Sequence, residues 1–95
     1  MVDRILLFKL VDSAARDEVA ALLARDLATL PSLVRIDVGL PADEASAKSW
    51  DVSCVLRFAS LATLEAALAG PIFQACLAAL AHRCAVVKAW SFAQR

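Results

Sequence analysis

The spacing of the apolar residues changes along this chain between two and about 3.6, and the order of those changes restricts the fold more than any single motif. Residues 3–11 alternate as a strand: Arg4, Leu6, Phe8 and Leu10 share one face, and Ile5, Leu7, Lys9 and Val11 the other. Apolar residues on both faces imply that both faces are covered. Asp12 and Ser13 then offer caps, and Asp17 and Glu18 suit the positive end of a helix. Ala15, Val19, Leu22, Leu23, Leu27 and Leu30 recur at steps of three and four, which predicts a helix over 14–30, stopped by Pro31. A second strand is expected over 33–40, with Gly39 marking a bulge or bend. The polar, small residues 41–48 read as a loop.

The alternation is clearest over 49–59. Trp50, Val52, Cys54, Leu56 and Phe58 fall on one side, and Asp51, Ser53, Val55 and Arg57 on the other. Ser60 caps a helix over 61–69, and Gly70 is a natural residue beyond its end. Pro71 opens another helix, with Phe73, Cys76, Leu77 and Leu80 on one stripe to about His82. The last strand spans about 84–93, and its pattern leaves open which side faces the helices. The order β-α-β-β-α-α-β gives an α+β fold: a ferredoxin-like βαββαβ arrangement, with a four-stranded antiparallel sheet and helices on one face. Ninety-five residues fit one domain, taken as 1–95.

That arrangement leaves one sheet face open, and its residues are mixed. Ile5, Leu7 and Val55 are apolar, whereas Lys9, Asp51 and Arg57 are charged. A hydrophobic fraction of 61% in so short a chain leaves surplus apolar surface. A sheet-to-sheet homodimer accounts for both features. The net charge of +0 argues against a phosphate-backbone partner. RNA-binding sheets of the same order carry aromatics in the third strand, but here that stretch reads Val52-Ser53-Cys54-Val55-Leu56. Neither a nucleic-acid partner nor a membrane is expected, since the apolar run Ile5–Phe8 is far too short to span a bilayer. Cys54, Cys76 and Cys84 form no metal-binding or CxxC spacing and read as free thiols in a reducing, cytoplasmic compartment. No cofactor or metal is expected.

Several segments resemble the stress-responsive A/B barrel domain family. They are Arg4-Ile5-Leu6-Leu7-Phe8-Lys9-Leu10, Leu30-Pro31 before Val34–Gly39, and Trp50-Asp51-Val52 running to Arg57-Phe58-Ala59-Ser60. Leu64-Glu65 leading to Gly70-Pro71 completes the set. The resemblance implies a dimeric α+β barrel with a pocket between each sheet and its helices. The family includes a polyketide cyclase that uses His and Tyr in that pocket. Here Arg4 stands at the family's frequent first-strand His and Gly70 at the His of its His-Pro. Phe73 stands at the cyclase's catalytic His, and its Tyr falls at about Ala67. The chain has no Tyr at all, so the cyclase chemistry does not carry over, and no catalytic residue is assigned.

The expected pocket is lined by Leu6, Phe8, Leu22, Leu23, Cys54, Phe73 and Leu77, with Arg4 as its charged member. An Arg at an apolar mouth can grip a carboxylate bidentately, or can simply pack its stem and reach water. The expectation is a homodimer that binds a small apolar or aromatic acid. Two alternatives stand beside it: a cofactor-free cyclase- or monooxygenase-like enzyme, and a ligand-free dimeric interaction module.

Overall fold

A computed structural model describes residues 1–95. Four strands form one antiparallel sheet in the order β2-β3-β1-β4: β1 Val2–Leu10, β2 Leu33–Gly39, β3 Val52–Phe58 and β4 Cys84–Ala93. The helices are α1 Arg16–Leu27, α2 Glu44–Ser49, α3 Leu61–Ala69 and α4 Pro71–Leu80. The ferredoxin-like architecture expected from the pattern is the one observed.

Register fixes the two faces. Leu6 lies opposite both Cys54 and Ala89, so Leu6, Phe8, Val52, Cys54, Leu56 and Ala89 share the helix-covered side. Burial follows the period of two along β3, where 52, 54, 56 and 58 are buried and the residues between are half-buried. Val19, Leu23 and Leu27 of α1, Leu64 and Ala67 of α3, and Phe73, Cys76 and Leu80 of α4 close this core. Register also answers the question left open for β4. Val87, Ala89 and Ser91 face the helix side, and Val86, Lys88, Trp90 and Phe92 the open side.

Local chemistry sets the element ends. Ser60 Oγ accepts from Thr63 N at 3.2 Å, and the Thr63 hydroxyl accepts from Ser60 N, so α3 begins where expected. Helices α3 and α4 bend by 57° at Gly70. Gly70 is extended (φ −78°) rather than left-handed, and it caps α3 and precedes α4 at once. Asp12 caps a 3-10 turn over Ser13–Ala15, which delays α1 to Arg16. The helix expected to reach 30 ends at Leu27, and Ser32 takes a positive φ of 65° in the turn to β2.

Three expectations are corrected. Residues 41–48 are not all loop: Asp43 accepts from Ser46 N at 2.8 Å and nucleates α2, a helix with no buried residue. The third strand starts at Val52 rather than 49, because α2 runs through Ser49 and Trp50 caps it, its N–H donating to the Ser46 carbonyl. Gly39 marks no bulge. The register shift in β2 lies between Leu33 and Arg35, and Gly39 instead faces Ser53, whose Oγ would lie 2.7 Å from a Cβ at 39 and would have to move aside.

Candidate functional site

Of the residues expected to line a pocket, Leu6, Phe8, Leu23, Cys54 and Phe73 form the packed core, each at most 5% exposed. Leu22 and Leu77 are half-buried at its edge. These side chains meet one another between sheet and helices, as the periodicity implies. The Cys54 thiol is pushed up to about 12, chiefly by burial, so it holds its proton and offers no nucleophile. Burial also raises Cys76 and Cys84. His82 lies exposed in the turn after α4.

Arg4 is different. It sits on the helix-covered side, directly opposite Leu56 on β3 and Ser91 on β4. Its Nη1 donates to Ser91 Oγ at 3.1 Å. Its Nε is buried and has no hydrogen-bond acceptor. A buried guanidinium N–H without a partner loses its hydration uncompensated, and this fork of donors matches a carboxylate.

The charges on the open face do not gather into one cluster. Arg57 pairs bidentately with Asp3, its register partner, through Nε–Oδ1 at 2.7 Å and Nη2–Oδ2 at 2.9 Å. The hydrogen bonds from Arg57 hold the Asp3 carboxyl below its ordinary range and raise Arg57 in turn. Asp51, only 1% exposed, accepts from Leu10 N at 2.7 Å and Arg16 Nε at 2.8 Å. Burial pushes its carboxyl up most strongly, but these two donors together with the positive charges of Lys9 and Arg16 outweigh it and hold the group below the usual value. Lys9 Nζ donates to the Lys48 carbonyl at 3.2 Å. Sequence reasoning grouped Lys9, Asp51 and Arg57. The structure gives each its own partner, and the Arg16 partnership, thirty-five positions from Asp51, left no local signal.

Two recesses open elsewhere. One, about 640 Å³, lies on the open face beneath α2. The other, about 480 Å³, lies between the Pro31-Ser32 turn and the α3–α4 elbow and is lined mostly by small residues. Exposed aromatics stand on the open face of β4, Trp90 at 47% and Phe92 at 53%. No single helix is long and apolar enough to cross a membrane.

A family model described as the stress responsive A/B barrel domain matches residues 2–92. Among solved structures, a dimeric ferredoxin-like protein of unknown function from Thermobifida fusca is 25% identical, with a TM-score of 0.81. That match covers 98% of this chain and 90% of the other. A ferredoxin-like protein of the same domain family from Mesorhizobium loti is 9% identical at a TM-score of 0.83, covering 99% and 96%. SnoaB, a cofactor-independent oxygenase from Streptomyces nogalater, is 21% identical at a TM-score of 0.76, covering 99% and 92%. A search among curated protein sequences returns no match.

Proposed function

The chain belongs to the stress-responsive A/B barrel domain family, and from that premise we propose that it is a cytoplasmic homodimer that binds a small aromatic acid through Arg4. The dimer reading rests on the open sheet face. Val86, Trp90 and Phe92 are 41%, 47% and 53% exposed there, beside half-buried Ile5, Leu7 and Val55. The Arg57–Asp3 charges on that face are already paired, which lowers the cost of covering them. A stable dimer needs about 800 Å² per protomer, a modest share of the 5532 Å² available. The related Thermobifida protein is described as dimeric. Three unpaired cysteines support a reducing compartment.

The buried, acceptorless Nε of Arg4 carries the ligand reading. A carboxylate satisfies that donor, and the ring of an aromatic acid takes the apolar surroundings between sheet and helices. Leu6, Phe8, Cys54 and Phe73 are packed in this state. An entering ring therefore replaces core contacts, and affinity stays at roughly micromolar, near 8 kcal/mol. A catalytic reading has less support. The positions that resemble the cyclase's His and Tyr are Phe73 and Ala67, both buried in the core. The test is calorimetry of 2-naphthoic acid against wild type and Arg4→Met, which keeps the stem and removes the charge. Wild type is expected to bind and the variant to lose at least about tenfold in affinity, the equivalent of 1.4 kcal/mol. Equal binding to both proteins would remove Arg4 as the anchor.

A further inference from the structure

We propose that the recess at the α3–α4 elbow is a second ligand site, for a small, uncharged ring compound that carries an N–H or O–H donor. The elbow supplies the shape. Helices α3 and α4 bend by 57° at Gly70, and the Pro31-Ser32 turn faces that bend across a space of about 480 Å³. Ala62, Ala66 and Gly70 follow one another at steps of four along one wall, and their small size leaves the hollow. Pro31 and Pro71 hold its edges at a fixed φ. None of the nine lining residues belongs to a strand, so a sheet-to-sheet dimer leaves the recess open. None belongs to the core group beside Arg4, so the site stands whether or not Arg4 holds an acid.

The polar complement comes from the end of α3. A helix leaves its last carbonyls without intrahelical donors. The helical donor for Ala67 would be residue 71, which is proline and has no N–H. Gly70 N therefore turns to the Ala67 carbonyl at 3.2 Å, and Gln74 Nε2 covers the Leu68 carbonyl at 2.8 Å. The Ala66 carbonyl is left without its helical donor. It lies against Gly70, 3.5 Å from where a Cβ at that position would stand. Both residues line the recess, so its wall carries an open acceptor. The Thr63 hydroxyl is already engaged, donating to the Ser60 carbonyl at 2.9 Å and accepting from Ser60 N.

Charge selects a neutral ligand. None of the nine lining residues is charged. The negative end of α3 and the positive end of α4 meet at Gly70, so their partial charges oppose each other. An ion entering the recess would lose hydration without compensation. A neutral ring instead covers apolar surface and gives one hydrogen bond to Ala66.

The probe is indole, titrated into the intact protein and followed by amide NMR shifts. Benzothiophene, of similar bicyclic shape but without a donor, is the control. Indole is expected to shift Ser32 and residues 62–72, in wild type and Arg4→Met alike. It should bind at least about threefold tighter than benzothiophene, the worth of one hydrogen bond. Gly70→Ala sets a methyl in ordinary contact with the Ala66 carbonyl at an allowed φ of −78°, so the chain folds and the acceptor is screened. That variant should lose the preference for indole. Ala62→Phe fills the recess from an exposed helix position and should weaken both compounds at least about tenfold. No shift at Ser32 and 62–72, or binding undiminished in Ala62→Phe, would overturn the site. Equal affinity of wild type for the two compounds, or a preference that survives Gly70→Ala, would overturn the role of Ala66.

Discussion

Asp51 is a buried carboxylate that ties the start of β3 to β1 and α1. Its oxygens take the Leu10 amide at the end of β1 and the Arg16 guanidinium at the start of α1, while its own amide donates to the Phe8 carbonyl. Asp51→Ala leaves the buried Leu10 N–H without an acceptor and the half-buried Arg16 guanidinium with only the Ala47 carbonyl, and should cost about 3 kcal/mol in urea denaturation. Asp3 and Asp51 both bind their proton less tightly in the folded chain than at the ordinary carboxylate value of 3.8. Their stabilisation is therefore complete above that value and is lost as pH falls below it through the folded values. Stability measured against pH should drop below about 4, and Asp51→Asn should flatten that drop. The thiols give a second residue-level test. Cys54 and Cys76 are buried and Cys84 is half-buried. A thiol reagent on the native protein should modify Cys84 first and reach the other two at the rate of global unfolding. Equal rates at all three would mean the core opens locally.

At the scale of elements, legibility followed burial. Helix α3 lies at 61–69 as its cap and apolar spacing predict, because Ser60 and Leu64 carry both signals within nine residues. Helix α2 was missed because Glu44–Ser49 has no apolar stripe to show a helical period. The signal that could have found it is local: Asp43 three residues before Ser46, an acceptor placed for an N-cap. The early start assigned to β3 has the same cause. Trp50 and Asp51 continue its alternation perfectly, but the helix before them runs through Ser49 and takes Trp50 as its cap, and the polar 41–48 segment shows no apolar period that reports it. Gly39 shows the same limit, since its reason lies across the sheet at Ser53. Gly39→Ala should destabilise by about 1–3 kcal/mol through overpacking, and Gly39→Ala with Ser53→Ala should recover most of the loss. Failure of the second change to rescue would place the strain in the backbone of β2.

At the scale of the whole molecule, the alternation of periods was enough for the architecture. Each switch between two and 3.6 marks a real element, and antiparallel register then fixes which residues share a face. The candidate site was less legible. Leu6, Phe8, Cys54 and Phe73 were rightly placed together between sheet and helices, yet a packed core and an open pocket share one sequence signature. The unsatisfied Nε of Arg4 emerges only from three-dimensional surroundings, and the recess beneath α2 only from the helix that pattern reading missed. The open face joins both scales. It carries Ile5, Leu7, Val55, Trp90 and Phe92 beside ion pairs that are already closed, a surface suited to a second copy of itself. Val55 faces that side near the middle of the sheet, between Ile5 and Asp37. A carboxylate there would be stranded among desolvated apolar groups. The most direct measurement is the solution mass of wild type and Val55→Asp by light scattering at micromolar concentration. The account predicts twice the 10.1 kDa chain mass for wild type and a shift toward the single-chain mass for the variant. A monomeric wild type, or a variant that stays fully dimeric, would contradict it.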